Sequence, residues 1–150
     1  MLMWAWFLTE LYTQLKGSLL MDMEITFPGG LKVDALYKDF TIHTDQSKED
    51  GGDTSAPAPF DLFLVSIATC AGIYVLRFCQ KRNIDTQGLK LFFKKDLDNE
   101  FKMISKITIE IQLPPEFPEK YHAAVIKAAN LCSVKKHIIN PPDFQIQIKK

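Results

Sequence analysis

Residues 59–78 read PFDLFLVSIATCAGIYVLRF and form the longest apolar stretch of the chain. The charged residues Asp61 and Arg77 enclose 15 residues of it. That length falls short of the roughly 18 consecutive apolar residues of a membrane-spanning helix, so we expect no membrane insertion. We predict instead a long, buried central helix. Because this helix is apolar almost all round, it has to be enclosed on every side.

Local signals place the ends of this helix. Pro59 suits the first turn, where its missing N–H costs nothing. Asp61 follows where a carboxylate interacts favourably with the helix dipole. The positive charges of Lys81 and Arg82 suit the C-terminus, and Gly72 is a point where the helix could bend.

The flanking segments predict strands on one side and a mixture of strands and a helix on the other. Alternation of apolar and polar residues predicts three strands before residue 45, two strands between residues 89 and 113, and one at the C-terminus containing Phe144, Ile146 and Ile148. Helical spacing predicts one helix from Phe117 to about Cys132. The order βββ-α-ββ-α-β groups strands and helices, which indicates the α+β class.

The domain organisation follows from length. We predict a single domain over residues 21–150 and an N-terminal extension over residues 1–20 with helical amphipathicity. The extension is equally compatible with a late start at Met21 or Met23. Two helices and about six strands cannot enclose so apolar a central helix, so we expect a tight homodimer that shares its core.

Composition restricts the class of function. Eighteen basic and 18 acidic residues balance, so neither nucleic acid nor an anionic membrane is expected as a partner. The N-terminus lacks a secretory pattern, and three cysteines is an odd number, which together favour the reducing cytoplasm. No C-x-x-C or H-x-x-x-H pair and no phosphate-binding loop is present, so we expect no metal and no cofactor.

The three cysteines are the candidate reactive groups. Cys70 and Cys79 are nine residues apart on one helix, hence on opposite faces and about 13 Å apart along its axis, too far for a disulfide. Cys79 is therefore interpreted as a packing residue. Cys70 and Cys132 lie on different predicted helices and could meet. Spacing alone leaves open that all three are inert, since free cysteine is often a small buried hydrophobe.

Two segments resemble the OsmC/Ohr family. The first is GGDTSAPAPFDLFLVSIATC, residues 51–70, with a loop containing glycine and proline, an acidic helix start and a cysteine. The second is AANLCSVKK, residues 128–136, with a cysteine followed by a small residue and a valine. The resemblance covers about residues 22–150 and implies an OsmC-like fold forming an intertwined homodimer.

The resemblance also implies a thiol-dependent peroxidase that reduces organic hydroperoxides. Cys70 would be the thiol that attacks the peroxide, and Cys132 would then form a disulfide with it. A dithiol reductant of the lipoyl type would reset the pair. The apolar surroundings suit a small apolar hydroperoxide as substrate.

The sequence departs from the peroxidase pattern at two positions. Peroxidase members of the family use an Arg from the N-terminal strands, yet residues 1–76 contain no Arg. They also place a Glu directly after the helix-start Pro, where this chain has Phe60, and Asp61 one residue later is the possible site acid. Alternatives therefore stay open: a family member without fast peroxidase activity that binds a small ligand or senses redox state, or a protein that binds a partner through its N-terminal helix.

Overall fold

The computed structural model describes residues 23–100 and 103–149, which form a mixed α+β structure. The predicted class is confirmed, and the extension predicted at residues 1–20 lies outside the described residues. The described residues form two compact units, one up to Leu62 and one from Phe63 onward. The elements are strands β1 (Glu24–Gly29), β2 (Lys32–Tyr37) and β3 (Phe40–Thr44), helix α1 (Pro59–Gln80), strands β4 (Lys90–Leu97) and β5 (Ile104–Gln112), and helices α2 (His122–Ala129) and α3 (Ser133–Ile139).

The first unit is built on an antiparallel meander, β1-β2-β3. The two-residue turn Lys38–Asp39 connects β2 to β3, and Lys38 takes the left-handed conformation that such tight hairpin turns require. Opposite residues pair in register from Val33 with Thr44 to Tyr37 with Phe40. The short connections explain why alternation in the sequence located these strands.

Asp45 anchors the loop that joins this sheet to helix α1. Its buried carboxylate accepts hydrogen bonds from the backbone N–H groups of Gln46, Asp53 and Ser55 and from the Ser55 hydroxyl. The Ser55 bonds, foremost, lower the pKa of Asp45 to about 2 from 3.8 despite burial. At Gly52 a Cβ atom would collide with the Gln46 carbonyl, so the loop closes only over a glycine. The long loop is thus folded around one carboxylate.

The second unit contains the hydrophobic core. Val75, Phe78 and Cys79 of helix α1 pack with Phe117 and with Val125 of α2. Partly buried apolar residues of the antiparallel β4–β5 hairpin cover this cluster, among them Leu91 and Ile111, which pair directly. Alternation in both strands places these side chains on one face of the hairpin.

Helix α1 is continuous through Gly72 but buries only one stripe of its surface. The buried residues are Leu64, Ile67, Ala71, Val75, Phe78 and Cys79. Val65 and Ile73 are exposed. A single copy of the described chain therefore does not enclose helix α1 completely, because its core covers only the stripe of the helix that faces the core.

Two predictions about the C-terminal third are wrong. The helix predicted from Phe117 to about Cys132 is instead a 3-10 turn followed by α2, which ends at Ala129. A further helix that was not predicted, α3, begins after Cys132, which has an extended ψ of 119° and is its N-cap. The last strand is also absent from the described residues. Its apolar residues Phe144, Ile146 and Ile148 are 88%, 99% and 92% exposed. The strand does not form because a strand needs a hydrogen-bonding neighbour, and this segment has none in the described chain.

Candidate redox site

Cys132 reaches helix α1 because the chain turns sharply at that residue. Its thiol is buried, with 2% of the residue exposed, and accepts a hydrogen bond from the Lys135 N–H at 3.4 Å in the manner of an N-cap side chain. The same sulfur lies 3.9 Å from the carbonyl oxygen of Ile67 on α1. Cys70 follows Ile67 by three residues, nearly one helical turn, so the two helices bring both cysteines to one place.

The thiols of Cys70 and Cys132 lie near enough for an interaction between them to shift both pKa values, and both are free rather than joined in a disulfide. Cys70 is half-buried, whereas Cys132 is almost inaccessible. Of the two, Cys70 therefore presents the sulfur that a reagent can reach.

The environment separates the acidities of the two thiols. Burial raises the pKa of Cys70, but hydrogen bonds from the Val134 N–H, the Cys132 thiol and the Ser133 N–H outweigh it and bring the pKa below 9.0, the value of an ordinary thiol. Burial, opposed by the Lys135 N–H, raises the pKa of Cys132, and its bond to Cys70 and the Cys70 charge raise it further. Cys70 therefore ionises first, and the thiolate is the nucleophilic form.

The groups that stabilise the Cys70 thiolate are backbone amides and a thiol. Three hydrogen-bond donors outweigh the effect of burial and lower the pKa of Cys70, and no charged side chain of the described residues is among them. The amides come from the first turn of α3, directly after Cys132. The sequence did not predict these amides, because backbone donors leave no signature in the identity of a residue.

Cys79 is separate from the pair. It is fully buried in the hydrophobic core, and burial raises its pKa, with a smaller opposing effect of the Arg82 charge. A neutral thiol in this setting behaves as a small apolar side chain.

Asp61, predicted as a possible site acid, lies in the first turn of α1. Its carboxylate accepts a hydrogen bond from the Ala58 N–H at 3.1 Å, the reach-back contact of a residue at the third helical position. Nine residues separate it from Cys70 along the same helix, a rise of about 13 Å. This contact gives Asp61 a role in capping the start of helix α1. Its predicted role as an acid of the redox site stays a prediction.

A cavity of about 520 Å³ opens beside Cys132 in the second unit. Its walls are mainly apolar, from Ile109 and Ile111 of β5, Ala71 of α1 and Val125 of α2, and Lys135 is one of its few polar residues. Such a space suits a small molecule with an apolar body. Alternation in β5 predicted an apolar face, but the sequence carried no sign that the face would line a cavity.

Metal chemistry has no candidate site in the described part of the chain. Over residues 23–100 and 103–149, no three His, Cys, Asp or Glu side chains group closely enough to hold a metal ion.

Comparison with known proteins identifies the family. The model of the OsmC-like protein family matches residues 51–147, so the chain belongs to the OsmC-like family, and the predicted resemblance is confirmed. No curated protein sequence matches the chain. The length argument against membrane insertion is wrong, because helix α1, taken over all of Pro59–Gln80, is long and apolar enough to cross a membrane. The core helix of a soluble protein passes the same test, and proteins of this family are soluble.

Solved structures share the fold at low sequence identity. One is a protein of Psychrobacter arcticus 273-4 whose name refers to an osmotic-stress-induced detoxification response, with 24% identity, a TM-score of 0.66 and coverage of 78% of this chain and 87% of that one. An OsmC-like protein of Mycoplasma pneumoniae has 13% identity, a TM-score of 0.63 and coverage of 80% and 87%. The organic hydroperoxide resistance protein OsmC of Legionella pneumophila has 19% identity, a TM-score of 0.51 and coverage of 79% and 90%.

Proposed function

We propose that this protein is a cytoplasmic thiol-dependent peroxidase that reduces organic hydroperoxides through Cys70 and Cys132. The observation that carries the proposal is the pair of neighbouring free thiols, of which Cys70 is the more acidic and the more accessible. Membership of the OsmC-like family and the name of the Legionella protein support the substrate class.

In the first step the Cys70 thiolate attacks the terminal oxygen of the hydroperoxide ROOH. The O–O bond breaks, the sulfur is oxidised to a sulfenic acid, and RO⁻ leaves and takes up a proton from water to become the alcohol ROH. The amides of Ser133 and Val134 hold the thiolate before attack. Since only the thiolate reacts, the rate rises with pH as Cys70 loses its proton.

In the second step the Cys132 sulfur attacks the sulfenic sulfur of Cys70. The S–O bond breaks, an S–S bond forms, and the leaving hydroxide combines with the Cys132 proton to give water. The proximity of the two thiols, seen in their mutual effect on acidity, supports this attack by Cys132. A dithiol reductant of the lipoyl type then exchanges with the disulfide, which restores both thiols and oxidises the reductant to its own disulfide.

The cavity beside Cys132 supports an apolar substrate. Its aliphatic walls favour an alkyl or aryl group over the small, polar hydrogen peroxide. Cys132 lines this cavity and Cys70 adjoins Cys132, so the substrate class that we propose is a hydroperoxide with a compact apolar substituent.

One molar equivalent of cumene hydroperoxide should convert Cys70 and Cys132 to a disulfide. Alkylation of the remaining thiols followed by peptide mass spectrometry should find the 70–132 peptide pair linked and Cys79 alkylated after unfolding, because Cys79 lies outside the pair. Recovery of Cys70 and Cys132 as free thiols would contradict the proposal.

A second candidate function is a slow redox sensor of the same family. The observation in its favour is that no charged side chain of the described residues acts on Cys70, whereas peroxidases of the family use an Arg. The rate of disulfide formation separates the two: a sensor should need prolonged exposure to hydroperoxide, and a peroxidase should sustain turnover with a lipoyl-type dithiol.

We further propose that the protein is an intertwined homodimer. Apolar side chains are exposed on both units of the single chain, including Phe27 and Phe40 in the sheet and Val65 and Ile73 on α1. Scattered exposure of single residues is normal, but this number of large apolar groups requires a covering surface. Sedimentation equilibrium should return twice the mass of the chain at micromolar concentration; a monomer over that range would refute the proposal.

A further inference from the structure

Tyr74 contacts the start of helix α3 at the residue after Cys132. Its hydroxyl oxygen lies 2.9 Å from the Ser133 hydroxyl oxygen, within hydrogen-bonding distance. Tyr74 follows Cys70 by four residues, so the two side chains lie on one face of α1. Two positions on α1, one turn apart, thus meet two consecutive residues of the other segment: Cys70 meets Cys132, and Tyr74 meets Ser133.

We propose that Tyr74 is a positioning residue, which holds Ser133 through the paired hydroxyls and thereby fixes the first turn of α3 against Cys70. Apart from the donors that act on Cys70, the other polar contacts of this turn are of two kinds. The bonds from the Lys135 N–H to the Cys132 sulfur and between His137 Nδ1 and the Ser133 carbonyl stay within the turn and α3 itself. Across to α1, the Cys132 sulfur lies a long 3.9 Å from the Ile67 carbonyl. The shorter oxygen–oxygen bond is the firmer connection.

The position of this turn matters because its backbone carries the donors for Cys70. One donor is the N–H of Ser133, the residue that Tyr74 contacts. The other is the N–H of Val134, the next residue along the chain. A hydrogen bond weakens steeply with distance and misalignment, so a small displacement of the turn reduces the stabilisation of the thiolate. The same displacement separates the two sulfurs that have to form a disulfide.

Charged side chains of the two helices do not provide a substitute. Lys135 donates through Nζ to the Asn130 side chain at 2.6 Å, and His137 is bonded to the Ser133 carbonyl at 2.8 Å. These groups do not act on Cys70, and the other charged residues of α1, of α3 and of their ends do not act on it either. Those residues are Asp61, Arg77, Lys81, Arg82 and Lys136. The positioning of the amides is therefore the available means of tuning Cys70.

The catalytic consequence rests on the proposed peroxidase function, but the thiol chemistry can be measured without a hydroperoxide. In Tyr74→Phe, iodoacetamide should alkylate Cys70 about threefold more slowly at pH 7, and the rate–pH profile should move to higher pH, because one net hydrogen bond changes an equilibrium by up to about tenfold. Disulfide formation driven by diamide should slow as well. Peptide mass spectrometry assigns the reaction to Cys70, and a urea titration shows whether the fold is retained.

Two further variants keep the test decisive. Ser133→Ala removes the partner hydroxyl at an exposed position and should reproduce the effect, and the double variant should be no slower than either single one. Tyr121→Phe, which deletes a tyrosine hydroxyl elsewhere in the same unit, should leave the Cys70 profile unchanged.

An unchanged profile in both Tyr74→Phe and Ser133→Ala, additive effects, or an equal shift in Tyr121→Phe would overturn the proposal. If the shift is present but hydroperoxide is not consumed, the peroxidase function fails and the positioning role stands.

Discussion

Replacing Cys70 with serine is expected to reduce hydroperoxide consumption by at least about a thousandfold, to the rate without protein. A serine hydroxyl does not ionise near neutral pH, and the amides of Ser133 and Val134 cannot compensate, because they stabilise an anion that no longer forms. The measurement is the decrease of cumene hydroperoxide in the presence of dihydrolipoamide. In the parent protein the initial rate should rise with pH and level off once Cys70 is ionised, with its midpoint at a lower pH than for an ordinary thiol, because the pKa of Cys70 is lowered.

Cys79→Ala is the matched control for the loss of a thiol. Cys79 is fully buried in the core and lies nine residues from Cys70 along α1, so its replacement should leave the rate and its pH dependence unchanged. The alanine removes only a small buried group, and any loss of stability appears in the urea midpoint. Substantial consumption by Cys70→Ser, or a comparable loss in Cys79→Ala, would be inconsistent with Cys70 as the attacking thiol.

Replacing Cys132 with serine is expected to stop turnover after one oxidation per chain. The accessible Cys70 thiol remains, so a rapid burst of about one equivalent of hydroperoxide should persist. Without the partner sulfur no internal disulfide forms, and the sulfenic acid accumulates. Serine also caps a helix well, so it should preserve the N-cap contact with the Lys135 N–H and the start of α3.

Dimedone labelling and the burst amplitude measure this outcome. Mass spectrometry should find dimedone on Cys70 in Cys132→Ser, and far less of it in the parent protein, where the disulfide forms instead. The burst should also begin more slowly than in the parent, because Cys70 loses the hydrogen bond from the Cys132 thiol. Sustained turnover by Cys132→Ser with the lipoyl dithiol would show that Cys132 is dispensable.

Local sequence patterns located most elements of the described chain. Period-two alternation predicted strands where β1, β2 and β3 lie, because their connections are short and each register follows from a turn. The apolar run with Pro59 and Asp61 at its start predicted a helix where α1 lies. These elements were predictable since their causes, propensity and alternation, act between near neighbours.

Local patterns did not predict the elements of the C-terminal third whose structure depends on distant or absent neighbours. Helical spacing of apolar residues from Tyr121 to Cys132 did not indicate the backbone turn at Cys132. At this turn the Cys132 sulfur contacts the Ile67 carbonyl of α1. Alternation of Phe144, Ile146 and Ile148 predicted a strand, but a strand forms only beside a hydrogen-bonding partner, and the described chain offers none there.

The sequence alone established the α+β class, the family and the identity of the two cysteines to consider, because these follow from order, spacing and motif. Tertiary structure alone brought Cys70 and Cys132 together and made Cys70 the more acidic of the two. It did so with the amides of Ser133 and Val134 and a contact from Tyr74, all supplied by a turn packed against α1. Acidity and contact depend on the direction and distance of donors, which only the folded backbone sets.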